Sequence, residues 1–96
     1  MNTLINAIII EPRDNVAVAI EPIKKGEKAE YQLGDNTESV IAAEDIMIYH
    51  KLAIRDIPGG EPVVKYGEHI GLARNDIKAG EHVHIHNVKD NREVLR

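Results

Sequence analysis

Along the chain, β-branched and other apolar residues fall in short runs separated by clusters of Pro, Gly, Asp and Asn. Val16, Val18 and Ile20 alternate with Ala17 and Ala19, the period-two pattern of a strand with small residues on one face. The same reading predicts strands over residues 4–10, 28–33, 39–43, 47–54, 62–66, 69–73 and 82–88. Gly34-Asp35-Asn36 is a hairpin-type turn. Residues 38–50 hold enough Ala, Glu, Ile and Met for one or two helical turns, but no sustained helical stripe, so strands are favoured there too. The expectation is an all-β domain over residues 1–88, followed by a polar tail or linker at 89–96.

One local pattern recurs. Ile23-Lys24-Lys25-Gly26-Glu27, Ile57-Pro58-Gly59-Gly60-Glu61 and Ile77-Lys78-Ala79-Gly80-Glu81 share Ile-x-x-Gly-Glu. Such a unit reads as one turn whose Ile anchors in the core and whose Gly ends the turn with left-handed backbone. The copies are unevenly spaced, so they are a reused turn and not a solenoid repeat.

Composition reinforces the strand reading. Ile, Val, Ala and Leu supply nearly all of the 43% apolar fraction, with three Tyr and no Phe or Trp. β-Branched residues suit a pleated surface. The lack of aromatic platforms counts against stacking on single-stranded nucleic acid. A net charge of −4, with acids and bases interspersed, counts against a phosphate-binding groove. There is no cysteine to form a disulfide or act as a thiolate. No basic n-region or apolar stretch long enough to cross a bilayer is present, so a soluble cytoplasmic chain without nucleic-acid or membrane partners is expected.

The chemistry-bearing residues gather in the second half. In a strand, His82, His84 and His86 would share one face while Val83 and Ile85 point to the core. Imidazole is the commonest metal ligand and the side chain best suited to proton transfer near neutral pH. The competing reading is a solvated strand face carrying fortuitous histidines. His50-Lys51 and Lys65-Tyr66-Gly67 are further candidates, with Lys65 a point charge for a carboxylate. Neighbouring strand residues face opposite sides, so only one of His50 and Lys51 is expected to enter a site. His69 reads as a turn residue. No phosphate loop, dinucleotide fingerprint, nucleophile elbow or His-Glu-x-x-His motif is present.

The stretch Val64-Lys65-Tyr66-Gly67-Glu68-His69-Ile70-Gly71-Leu72-Ala73, followed by Asp76-Ile77-Lys78-Ala79-Gly80-Glu81-His82-Val83-His84-Ile85-His86-Asn87, resembles the N-terminal domain of altronate and galactarate dehydratases. Asp14-Asn15-Val16-Ala17-Val18-Ala19 and His50-Lys51-Leu52-Ala53-Ile54 carry the likeness upstream. The chain departs from the family where Tyr49 precedes His50, since Gly is common there. The resemblance implies a SAF-type β-clip, present either as an N-terminal domain or as a separately encoded small subunit; the initiating Met1 favours the subunit.

It further implies a part in elimination of water from a sugar acid to give a 2-keto-3-deoxy acid, beside a large catalytic subunit or domain. The complete enzyme would use a divalent metal, Fe(II) or Mn(II). His84, His86, His50 and Lys51 are the expected catalytic residues, with His84 and His86 as the metal ligands. Asn87, Lys65 and Tyr66 are expected to bind substrate. A homo-oligomer is compatible with this reading. The alternatives are a sugar-acid-binding or assembly module without catalysis, and the small subunit of a sulfolactate-type sulfo-lyase.

Overall fold

A computed structural model describes residues 5–90; residue 4 of the first predicted strand and residues 91–96 of the polar segment lie outside it. The described residues form nine strands and no helix, so the helical turns allowed for residues 38–50 are not found. The strands are β1 (Ala7–Ile8), β2 (Val16–Ala19), β3 (Lys28–Leu33), β4 (Asn36–Ile41), β5 (Lys51–Ala53), β6 (Pro62–Lys65), β7 (Glu68–Ala73), β8 (His82–Val83) and β9 (Val88–Asp90). All pairings are antiparallel, in three small sheets ordered β1-β2-β5-β8, β3-β4 and β6-β7-β9. The architecture is that of a β-clip. β9 runs through Asp90, two residues past the point where composition ended the domain.

The central sheet is buried on both faces, because successive strand residues point to opposite sides. Ala17, Ala19 and Leu52 pack with Ile23, Ala29, Tyr31 and Ile46. Val16 and Ala53 pack on the other side with Ile57, Val63, Ala73, Ile77 and Val83. Ala17 and Ala19 of β2 thus share one cluster with Ala29 and Tyr31 of β3.

Four turns, not three, organise the molecule. Ile23 bridges Ile46, and Ile57 bridges Ile77, each as an isolated antiparallel pair. The unrecognised fourth copy is Ile46-Met47-Ile48-Tyr49-His50. In every copy the fourth residue donates its N–H to an alanine carbonyl: Gly26 to Ala42, Tyr49 to Ala19, Gly60 to Ala73 and Gly80 to Ala53. In every copy the fifth residue's carbonyl accepts the N–H of that same alanine.

Aspartates preceding three of the anchoring isoleucines cross over to cap the partner turn. The N–H of Lys25 donates to Asp45, that of Gly59 to Asp76, and that of Ala79 to Asp56, at 2.8–2.9 Å. Gly80 adopts φ 91° and is buried, and a Cβ there would drive into the Ile41 carbonyl oxygen. Any larger residue would push the two halves apart.

Candidate functional site

The second turn departs from the other three at its last two residues. Tyr49 takes the position of Gly, keeps the left-handed backbone with φ 68°, and is 72% exposed. His50 takes the position of Glu. Glu27 and Glu81 fold back to accept the N–H of Lys24 and Lys78 within their own turns. His50 instead extends toward β8, where its Nδ1 lies 2.9 Å from Nε2 of His82.

The pairing of β5 with β8 sets Lys51 opposite Val83 and Leu52 opposite His82, which brings His50 alongside His84. The His50 and His84 rings stack with centroids 4.8 Å apart, and those of His82 and His84 at 5.6 Å. One ligand nitrogen from each of His50, His82 and His84 can be chosen so that all three lie within 4.8 Å of one another. Three convergent imidazoles suit a divalent transition metal.

Residues 82–88 do not form one strand. β8 stops at Val83, and residues 84–87 turn before β9 begins. The cause is Asn87, buried at 6% exposure. Its Oδ1 accepts the His84 N–H at 2.9 Å, and its Nδ2 donates to the His82 carbonyl at 2.8 Å. The Asn87 N–H donates to the His84 carbonyl, closing the turn. The Asn87 amide is therefore committed to backbone and holds the two histidines in place. Ile85, expected to point to the core, is 77% exposed. His86 is exposed as well; its ring lies 5.4 Å from that of His82, tilted, outside the convergent trio.

Beside His84 lies an open cavity of about 220 Å³, lined by Lys51, Ile70, His84, Ile85 and Val88. Both members of the His50-Lys51 pair thus border the site: His50 meets the other imidazoles, and Lys51 lines the cavity. Burial, then the nearby charge of Lys65, pushes the Lys51 ammonium below the ordinary lysine pKa. Burial, followed by His50 and His86, lowers the pKa of His82, and Glu44 opposes this only partly. His84 is lowered by burial, His50, Lys51 and His86. These two rings therefore favour the neutral form that a base or a ligand needs.

Lys65 and Tyr66 sit at a tight hairpin. Tyr66 and Gly67 both have positive φ (54° and 78°), and the Lys65 ammonium lies 5.1 Å from the Tyr66 ring centroid. This hairpin is anchored by a residue to which the sequence reading gave no role of its own. Asp14 is fully buried, and its Oδ1 accepts the Gly67 N–H while Oδ2 accepts those of Ile10 and Glu11. Burial would raise the Asp14 pKa, but N–H groups of Ile10, Gly67, Glu11 and Tyr66 outweigh it and hold the carboxyl below its usual range. Asn15 joins β2 to β6 through Val64 and Pro62. Asp14-Asn15 is therefore a structural clamp on the lysine-bearing hairpin.

Among the described residues, no helix is long and apolar enough to cross a membrane.

Comparison with known proteins agrees with this fold. The altronate/galactarate dehydratase SAF domain matches residues 5–91. An altronate dehydratase of Bacillus subtilis is 42% identical over 84 residues, covering 88% of this chain and 16% of its own length. One from Escherichia coli is 43% identical over the same extent. A (2R)-sulfolactate sulfo-lyase subunit alpha of Paracoccus pantotrophus is 42% identical over 59 residues, covering 60% of this chain and 88% of its own length. The chain thus spans 16% of the length of the altronate dehydratases it matches, but nearly the whole of that subunit. The chain belongs to the altronate/galactarate dehydratase SAF-domain family.

Proposed function

We propose that this chain supplies one wall of the active site of a carbon–oxygen lyase that removes water from a sugar acid, with a larger catalytic region supplying the rest. The observation that carries the reading is the break in the turn pattern at Tyr49-His50. It directs His50 to His82 and His84, beside the cavity bordered by Lys51. A cavity of about 220 Å³ open on one side is smaller than the roughly 300 Å³ at which ligand pockets begin. A second surface would close it. The exposed apolar side chains of Met47, Ile48 and Tyr49 before His50, and of Ile85 after His84, supply a rim for that contact. The greater length of the altronate dehydratases supports their catalytic region as the occupant.

The reaction needs a base for the proton on the carbon bearing the carboxylate, and an acid for the hydroxyl leaving the next carbon. Loss of that C–H proton and of hydroxyl as water gives an enol, which becomes the 2-keto-3-deoxy acid by tautomerisation. His84, partly exposed beside the cavity, faces the reacting carbons together with any ion that the imidazoles hold. His50 and His82 stack on His84 and hold it in place. Lys51 binds the substrate carboxylate, whose charge restores the ammonium that burial disfavours. Lys65 and Tyr66 extend the rim, and Asn87 fixes the histidine turn. A divalent metal, when bound at the site, would supply Lewis-acid stabilisation of charge accumulating on the substrate oxygens.

A second reading, the alpha subunit of a sulfo-lyase, rests on the 88% coverage of the Paracoccus pantotrophus subunit. Altronate and sulfolactate are both 2-hydroxy carboxylates with a leaving group on the neighbouring carbon, hydroxyl in one and sulfite in the other. The same wall serves both. Co-expression with the larger region, followed by assay of altronate, galactarate and sulfolactate with Fe(II) or Mn(II), tests the proposal. Turnover well above that of the larger region alone is expected. Equal turnover with and without this chain would refute it.

A further inference from the structure

We infer that His50, His82 and His84 form a three-imidazole site that binds one borderline divalent transition-metal ion within this chain alone. The inference deepens the proposed lyase role and replaces the His84–His86 pair expected from sequence with a different donor set.

The geometry is close to that of a loaded site. Nitrogens bound to one ion at about 2.0–2.1 Å lie roughly 3 Å apart on adjacent coordination positions. Nδ1 of His50 and Nε2 of His82 are already 2.9 Å apart. Across the trio no separation need exceed 4.8 Å. Drawing the three nitrogens onto an ion takes a movement of about 1 Å or less in partly exposed rings. The hydrogen bond between His50 and His82 is what holds those nitrogens together before an ion arrives, and the ion would replace it.

The backbone beneath the rings is fixed from both sides. His50 follows a turn tied to Ala19 through both of its last residues, with Tyr49 donating to the Ala19 carbonyl and the His50 carbonyl accepting from Ala19. His82 and His84 are stapled by the buried Asn87 amide. Glu44 accepts the His82 N–H at 2.9 Å, adding an acidic group beside the cluster. Preorganisation of this kind reduces the entropy lost when an ion is gripped.

The donor set selects the class of ion. Hard cations such as Mg²⁺ and Ca²⁺ require oxygen ligands, which the trio lacks. Imidazole favours Fe, Co, Ni, Cu and Zn, and affinity for a fixed site rises from Mn(II) through Fe(II) toward Cu(II). Three protein ligands leave positions open for substrate oxygens or water. His84 belongs both to the trio and to the cavity lining, so those positions are reached from the side where Lys51 would hold a carboxylate.

The test is titration of the metal-free, untagged full chain with Co(II), followed by absorption, with NMR to locate the ion by its broadening of the imidazole ring resonances. One equivalent should bind, broadening His50, His82 and His84 most strongly and His69 least. His50→Ala, His82→Ala and His84→Ala should each weaken binding on the order of 100-fold or more, whereas His86→Ala should change it by less than about threefold. Competition should order the metals Mn(II) < Fe(II) < Co(II). Absence of stoichiometric binding would overturn the inference, as would broadening centred on His86 or His69. The NMR map uses the unaltered chain, so it decides the matter even where a variant fails to fold. Because the measurement needs no larger region, binding without reconstituted turnover would remove the lyase reading alone, and turnover without binding would remove the metal site alone.

Discussion

Tyr49 stands in its turn where Gly80 stands in its own, and both carry left-handed backbone, with φ of 68° at the tyrosine and 91° at the glycine. For a side chain with a Cβ that conformation costs about 1–2 kcal/mol. The tyrosine recovers nothing from burial, since it is 72% exposed. Its cost is accounted for if the ring meets the catalytic region. Tyr49→Gly should therefore leave the urea midpoint of the chain unchanged or raised, relief of strain being partly offset by the freer unfolded glycine. The same change should weaken association with the larger region about tenfold or more, measured by sedimentation or calorimetry. A variant that loses stability yet associates normally would contradict this assignment.

Asn87→Ala should be costly well beyond its size. It leaves the His84 N–H and the His82 carbonyl without their side-chain partner in a partly buried turn. Each unsatisfied group costs about 1–3 kcal/mol, so urea unfolding should show a loss of about 2–4 kcal/mol. In a titration the variant should also bind Co(II) less tightly, because the turn carrying two of the three imidazoles is no longer held. An Asn87 that served only to touch substrate would leave both quantities unchanged.

Acid should act through Asp14. Its folded pKa lies below the unfolded value of about 3.9. The stability it contributes is therefore complete above that value and is lost as pH falls from there through the lower folded pKa. Asp14→Asn has one acceptor oxygen in place of two, against three backbone donors, and should cost about 3 kcal/mol at pH 7. The difference between the two proteins should shrink between pH 4 and pH 2, roughly the window set by a depressed carboxylate. Urea midpoints across that range check both the size and the sign.

Lys51 gives the opposite sign. Its ammonium is disfavoured by burial and by Lys65, so the charged form costs stability at neutral pH. That cost begins to fall as pH rises through the lowered pKa and is gone above the ordinary lysine value. Lys51→Met, similar in length and uncharged, should therefore raise the urea midpoint at pH 7. In the reconstituted enzyme it should raise KM for the hydroxy acid about tenfold or more, since a charged hydrogen bond to a carboxylate is worth about 1.5–3 kcal/mol. Stability gained with substrate affinity lost is the pattern of a group kept for binding.

Strand content was legible because Ile, Val and Ala alternate in short runs, and the Ile-x-x-Gly-Glu turns were legible because Gly marks their left-handed residue. The fourth turn was hidden by the two substitutions that matter most: Tyr49 and His50 stand where Gly and Glu would have revealed it, and residues 47–54 read instead as a strand. Asp-Ile was the surviving signal, at Asp45-Ile46, Asp56-Ile57 and Asp76-Ile77. Alternation singled out His82, His84 and His86 together, but the strand ends before the turn in which the Asn87 amide captures the His84 N–H, and His86 lies outside the trio. The meeting of His50 with His82 depends on the pairing of β5 with β8 across 32 positions of chain, and spacing alone carries no record of it. Asp14 escaped because an acidic residue in a turn reads as exposed, whereas three backbone donors here make its burial favourable.

The lyase role stands or falls on kcat for hydroxy-acid elimination by the larger region assembled with this chain, comparing the unaltered chain with His84→Ala at matched metal loading and confirmed assembly. A fall of about 100-fold or more is expected, toward the rate of the larger region alone, because the ion is then held by two imidazoles and not three, and loss of even an outer-shell partner of a metal ligand costs about 10–100-fold. An unchanged kcat in an intact assembly would contradict that role and leave the histidine cluster with a part in binding or assembly only.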